Sequence, residues 1–220
     1  SDLDSVDAYL GAHMFYTPED MPGYYFSGLM RFGVEDNDIE RNYNANGYSG
    51  KVKGDYKNKV AALGLQAGKD FYFGKSQNLS MGPVGYLNYT FVHRPSFKES
   101  GDVFALKYDS DNVHSLSSSL GGHVDYRMQF EDDTVLGFSF LTLWNHEYLS
   151  RHMHSKATFV DYDTASFEST TRLPSRDSLL FQGGIRLNFP TDVFIEGTCS
   201  YTLREHGDSL GGLIRAGWEM

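Results

Sequence analysis

Leu210-Gly211-Gly212-Leu213-Ile214-Arg215-Ala216-Gly217-Trp218-Glu219-Met220 alternates with a period of two. Leu210, Gly212, Ile214, Ala216, Trp218 and Met220 fall on one face, which carries no charge. Gly211, Leu213, Arg215, Gly217 and Glu219 fall on the other, which carries all of it. Successive side chains of a strand point to opposite sides, so this pattern predicts a strand between two unlike environments. The preceding run repeats it, with Val193, Ile195, Gly197, Cys199, Tyr201 and Leu203 set against Phe194, Glu196, Thr198, Ser200, Thr202 and Arg204. Before that, Leu179, Phe181, Gly183, Ile185, Leu187 and Phe189 oppose Leu180, Gln182, Gly184, Arg186 and Asn188. Pro190-Thr191-Asp192 and Glu205-His206-Gly207-Asp208 separate the three runs. Both are turn compositions, and links this short make neighbouring strands antiparallel.

The same reading extends towards the N-terminus. Leu116 to Met128 sets Leu120, Val124 and Met128 against His123, Asp125 and Arg127. Val135 to Trp144, Gly85 to Val92, Val60 to Gly68, Tyr24 to Val34 and Val6 to Tyr16 complete a set of about nine strands. Several reach about 11–13 residues, against about 5–6 for a typical soluble strand. Two connections are long and polar, Arg94 to Asn112 and His146 to Ser175. Outer-membrane barrels combine short turns at one end with long loops at the other. The expectation is an all-β fold, an antiparallel up-and-down transmembrane β-barrel, with residues 1–220 as a single domain. A soluble β-sandwich binding module also alternates and stays open as a second reading.

Composition bounds the function. The chain has 220 residues, a net charge of −10, 16 Phe, 15 Tyr, 23 Gly and 6 Pro. The acidic balance argues against nucleic acid as a partner, because phosphate binding needs a basic face. Abundant aromatics suit interfacial girdles. The mean hydropathy of −0.43 still fits a membrane barrel, whose strands alternate lipid-facing and lumen-facing residues. Cys199 is the single cysteine, so no intrachain disulfide framework exists.

Read in order, several short pieces carry a family resemblance. Ala62 to Gly68 is followed by Gly82-Pro83-Val84-Gly85-Tyr86-Leu87-Asn88-Tyr89 and then by Phe97-Lys98-Glu99-Ser100-Gly101. Ser115 to Gly121, Trp144-Asn145-His146-Glu147, Gly183 to Leu187 and the closing run from Gly212 follow. The series resembles the C-terminal β-domain of autotransporters, from about Val6 to the end. The resemblance implies a twelve-stranded barrel in the bacterial outer membrane that anchors and helps export an upstream passenger. About nine strands of the family twelve are visible, which places the missing ones at the N-terminal side. It also implies an assembly signal read by the outer-membrane barrel-assembly machinery. Trp218 keeps its aromatic position, while Met220 stands where the family has Phe and Arg215 where it has Gly.

Candidate chemistry is sparse. His146, Glu147, His152 and His154 cluster, yet Ser150 occupies the place of the second His of a HExxH zinc motif. Ser117, Ser119 and His123 fall on predicted inward positions and fit either a nucleophile–base set or a merely wet interior. No GxSxG elbow, P-loop or GxGxxG occurs. The predicted lumen-lining charges are Asp125, Arg127, Arg186, Glu196, Arg204, Arg215 and Glu219. Buried charges must pair or be hydrated, which suits ion pairs around an aqueous bore. The expected function is a translocator barrel without cofactor or turnover. Its partners are outer-membrane lipid, the assembly machinery and its own passenger. A small outer-membrane barrel enzyme, of protease or phospholipase type, is the rival from another class.

Overall fold

The computed structural model describes residues 2–45, 48–74, 76–149, 152–172 and 175–218. All regular structure among them is strand. In chain order these are β1 (Asp2–Tyr16), β2 (Tyr24–Ala45), β3 (Tyr48–Lys69), β4 (Phe71–Phe73), β5 (Leu79–Arg94), β6 (Phe97–Lys98) and β7 (Leu106–Tyr108). They continue with β8 (Asp111–Gln129), β9 (Val135–Glu147), β10 (His152–Phe159), β11 (Tyr162–Arg172), β12 (Asp177–Asn188), β13 (Val193–Arg204) and β14 (Ser209–Trp218). Nine long strands form an antiparallel meander, β1-β2-β3-β5-β8-β9-β12-β13-β14, with β4 paired beside β5. The sheet curls into a half-barrel. A four-stranded sheet, β11-β10-β7-β6, is built from the two long connections.

The connections sort by end. One end has the short links, including 130–134 and 189–192. These two form the same turn. Phe130 N–H donates to Thr134 O and Phe189 N–H to Val193 O, while Asp133 and Asp192 N–H donate back to Phe130 O and Phe189 O. Asp133 (φ 62°) and Asp192 (φ 59°) take the left-handed position that Asp tolerates better than most residues. The other end, called outer below, carries the β2–β3 tip, the long connections 95–110 and 148–176, and the short 205–208 turn. Barrels in outer membranes have this asymmetry.

Register decides which side chains share a face. Paired residues of adjacent strands lie on the same side of a sheet. Following the pairs Gly11–Arg31–Ala62–Thr90, Tyr86–Ser119–Asn145 and Arg186–Glu196–Arg215 across the strands defines one continuous surface. Every buried side chain of the nine long strands lies on it: Asn37, Val52, Val60, Val84, Ser119 and Leu143. A curled sheet crowds its concave side, so this surface is the concave one. The opposite face carries Leu10, Phe32, Leu63, Leu120, Phe140, Ile185 and Ile214, all exposed, with Ile214 as high as 83%. Among the described residues no second sheet or helix layer covers these apolar rows. That geometry is a barrel wall and not a sandwich half.

Two features differ from the sequence reading. β2 and β3 each run about eleven residues beyond the alternating runs at Tyr24–Val34 and Val60–Gly68. Beyond Val34 both faces become polar, as in Glu35-Asp36-Asn37-Asp38, because that part of the hairpin no longer borders an apolar medium. Likewise the polar connections hold β6, β7, β10 and β11, with buried Ala105, Leu106 and Ala157. Backbone pairing there is set by tertiary contact and not by local hydrophobic rhythm.

Candidate functional site

The concave face brings four of the sequence-predicted charges into one cross-strand row. Arg127 of β8 is opposite Gly137 of β9, Gly137 opposite Arg186 of β12, Arg186 opposite Glu196 of β13, and Glu196 opposite Arg215 of β14. Arg215 Nη2 donates to both Glu196 carboxylate oxygens, at 3.0 and 2.9 Å. Arg186 Nη1 reaches the same carboxylate at 3.4 Å, and its Nε donates to Asn188 Oδ1 at 2.8 Å. The Arg186 guanidinium also lies over the Phe194 ring at 4.1 Å. One carboxylate thus holds two cations, and three strands are tied by charge as well as by backbone. Gly137 leaves a gap in the row between Arg127 and Arg186. A cavity of about 560 Å³ fills this region, lined by Asp125, Arg127, Ser139, Arg186, Asn188 and Glu196 among others.

The other predicted charges sit elsewhere. Asp125 is two residues before Arg127 on the same face of β8, its carboxylate 3.8 Å from His123 Nε2. Arg204 lies at the far, outer end, where its Nη1 is 3.4 Å from Ser209 Oγ. Glu219 and Met220 are outside the described residues, and so are the side chains of His152 and His154. Trp218 lies on the convex face, paired with Val193. The three groups Ser117, Ser119 and His123 do not form a nucleophile–base pair. Ser119 Oγ donates to Asn145 Oδ1 at 2.5 Å, and His123 Nε2 is 2.8 Å from Asp70 Oδ1 instead. Asp70 sits between β3 and β4, and no local pattern in the sequence pointed to its pairing with a residue 53 positions away.

Trp144-x-His146-Glu147 acts at the outer rim. Trp144 Nε1 donates to Asp177 Oδ1 at 3.0 Å, and His146 Nδ1 is 2.9 Å from the same oxygen. On the other face Glu147 accepts from Ser115 Oγ, Leu116 N and Leu149 N at 2.6, 3.0 and 3.0 Å. The motif closes the ends of β8, β9 and β12 against one another. Among the described residues no group of three or more His, Cys, Asp or Glu side chains converges as a metal site would.

The two tryptophans bracket the convex face. Trp144 shares a row with Leu179 and Leu203 near the outer end, and Trp218 shares one with Val193 at the other. Ten residue steps along β13, from Val193 to Leu203, separate those rows. At about 3.4 Å per step and a tilt of about 40°, those steps span about 25 Å, the height of the apolar band of an outer-membrane barrel.

A family model described as autotransporter β-domain matches residues 1–198. The chain belongs to the autotransporter β-domain family. Among solved structures this β-domain is similar to the translocator domain of the autotransporter NalP from Neisseria meningitidis. The two share 17% identity at a TM-score of 0.71, over 98% of this chain and 68% of that one. No curated protein matches the sequence closely. The autotransporter β-domain is an outer-membrane translocator domain, and its address is the bacterial outer membrane.

Proposed function

We propose that this β-domain anchors an upstream passenger and assists its export, with residues 1–220 acting as one barrel domain and no substrate turned over. The carrying observation is the split between a convex apolar face and a concave face bearing the Arg127–Arg186–Glu196–Arg215 row. In this reading the concave face lines a water-filled lumen, and Asp125, Arg204 and Glu219 belong to the same lining. A charged, hydrated wall lets an unfolded polypeptide pass without apolar adhesion. Convex side chains meet lipid, and Trp218 serves recognition by the barrel-assembly machinery.

Edge direction supports a larger closed barrel. β1 and β14 are the free edges of the meander, and nine antiparallel strands leave both running from the outer end inward. Direct pairing of these edges would be parallel. An odd number of further strands closes the wall with antiparallel pairs throughout, and closure is what removes exposed edges. Three more strands make the twelve of the family.

The test is surface display. An epitope placed in the segment upstream of Ser1 should become accessible to protease on intact cells. Arg186→Leu should lower that display several-fold while membrane insertion, read by heat-modifiable gel migration, stays unchanged. An upstream segment that remains in the periplasm beside a correctly inserted barrel would overturn the export reading.

A further inference from the structure

The polar end of the wall sorts its lysines onto one side. Beyond the apolar band, β2 and β3 run on as a long hairpin, and β6, β7, β10 and β11 carry the wall outward beside them. On the concave side this extension is packed. Phe97 stacks between Tyr56 and Tyr108 at 4.5 and 4.6 Å. Glu99, only 2% exposed, accepts from Arg41 Nη2 at 2.7 Å, and Val52 is fully buried. Alternation puts the residues between these on the convex side. β3 sets Lys51, Lys53, Lys57 and Lys59 there. Lys98 and Lys107, the neighbours of Phe97 and Tyr108, are direct cross-strand partners on that same side. Lys156 lies two residues before Thr158, the partner of Lys107 on β10. Seven of the nine lysines, in a chain of net charge −10, thus share one exposed face.

Counter-charge reaches only some of them. Glu40 takes Lys51 and Lys53, and Asp36 takes Lys57 at 2.6 Å. Among the described residues Lys59, Lys98 and Lys107 form no ion pair. Asp55 and Asp109 flank the Lys98–Lys107 pair on the same face without bonding to it. Like charges set directly opposite each other destabilise a sheet, so this pair calls for an anion from outside the chain. A cavity of about 370 Å³ has both lysines in its lining, with Ser96, Phe97 and Val160. Depth narrows the anion further. Ala61 ends the convex apolar row Leu65, Leu63, Ala61 of β3. At about 3.4 Å per residue and a tilt of about 40°, Lys59 stands about 5 Å beyond Ala61, and Asp55, across from Lys98, about 16 Å beyond it. A phospholipid headgroup layer is only about 5–7 Å deep on each side of the hydrocarbon. Lys59 falls within that layer, and Lys98 and Lys107 stand above it.

We propose that Lys59, Lys98 and Lys107 bind an anionic glycolipid of the outer leaflet, one with phosphate both at its base and along its sugar chain. The proposal rests on the reading of the convex face as lipid-facing. Lys59 meets phosphate at the membrane surface, and Lys98 and Lys107 close on phosphate carried higher on the sugars. The apolar row below and the lysines above form one continuous surface, so a single lipid lies against both. An ordinary anionic phospholipid satisfies Lys59 alone.

Lipid titration of the full chain, folded in detergent, tests it. The titrants are lipopolysaccharide with a phosphorylated core, the same material chemically dephosphorylated, and phosphatidylglycerol. The phosphorylated form should bind on the order of tenfold more tightly than either of the others. K98Q/K107Q should weaken its binding on the order of tenfold while heat-modifiable gel migration stays unchanged. K98R/K107R, which keeps the charge, should bind as the unmodified protein does. Equal affinity of the unmodified protein for the three lipids, or full affinity in K98Q/K107Q, overturns the proposal. Quenching of Trp144 and Trp218 emission by lipids brominated on their acyl chains reads the lipid-facing assignment separately. Quenched tryptophans without a preference for phosphate remove the glycolipid site alone, whereas unquenched ones remove the lipid-facing reading beneath it.

Discussion

Arg215 of the last described strand and Glu196 of its neighbour form a two-point contact, with one guanidinium nitrogen donating to both carboxylate oxygens at 3.0 and 2.9 Å. Their accessibilities differ sharply, 55% for Arg215 against 15% for Glu196. The carboxylate is the hub and the arginine a solvated spoke. Removing the hub takes away the counter-charge that Arg186 and Arg215 share. Glu196→Gln should destabilise the barrel by about 1–2 kcal/mol, below the usual figure for a buried pair because water reaches Arg215. Arg215→Ala should cost under about 1 kcal/mol. Urea unfolding of the reconstituted protein measures both, and equal costs would contradict the hub assignment.

Ile185 pairs with Gly197 midway between the two tryptophan rows. Arginine there meets hydrocarbon, and Ile185→Arg should cost about 2–4 kcal/mol. Gln182 stands three residues earlier on the concave face, and Gln182→Arg should shift stability by under about 0.5 kcal/mol, as at any hydrated surface site. Folding titrations into lipid vesicles give both values. Similar penalties at the two positions would mean that the faces are wrongly assigned.

Gly101 and Gly50 should resist substitution. Gly101 has φ 129°, and a Cβ there would lie 2.5 Å from Lys51 O. At Gly50 a Cβ would meet the Tyr43 hydroxyl and an Asp102 carboxylate oxygen at 2.1 and 2.3 Å. Gly101→Ala should speed hydrogen exchange at the Lys53 and Ser100 amides, with a local cost of about 1–3 kcal/mol for a strained backbone. Amides in β12 and β13 should be unaffected.

The contact of the 95–110 segment with the β2–β3 hairpin, where Lys53 and Ser100 exchange both backbone hydrogen bonds, should hold at neutral pH and loosen in strong acid. A hydrogen bond from the Tyr43 hydroxyl, and then one from the Val103 amide, hold the Asp102 carboxyl below its ordinary value. A carboxyl depressed on folding adds stability above its unfolded pKa, about 3.9. That contribution is lost as pH falls through the lower folded value. Exchange at Lys53 and Ser100, corrected for intrinsic rates, should be flat from about pH 7 to pH 5 and accelerate below about pH 4. Asp102→Asn should remove the acid-dependent part of that acceleration.

Much of the wall was legible in the primary structure. Runs such as Leu179 to Phe189 and Val193 to Arg204 state their own two faces, because a strand alternates whatever its partners are. Turns such as Pro190-Thr191-Asp192 likewise carry their own chemistry. The hairpin beyond Val34 was not legible. Its charged residues keep no apolar rhythm, and its partner segment lies some sixty residues downstream. Glu99 and Gly101 stood out only as pieces of a motif, with no indication that Arg41 and Lys51 were what they touched.

The sequence by itself determined the strand period, the unlike faces, the antiparallel order and the family, since each is written in residues close together along the chain. Tertiary structure alone decided that Arg127, Arg186, Glu196 and Arg215 stand in one row with a gap at Gly137, that His123 takes Asp70 and not a serine, and that Glu99 of the 95–110 segment takes Arg41 of β2. These outcomes depend on the register between strands and on loop closure. A shift of one residue would exchange the faces, and contacts between distant segments have no local signature.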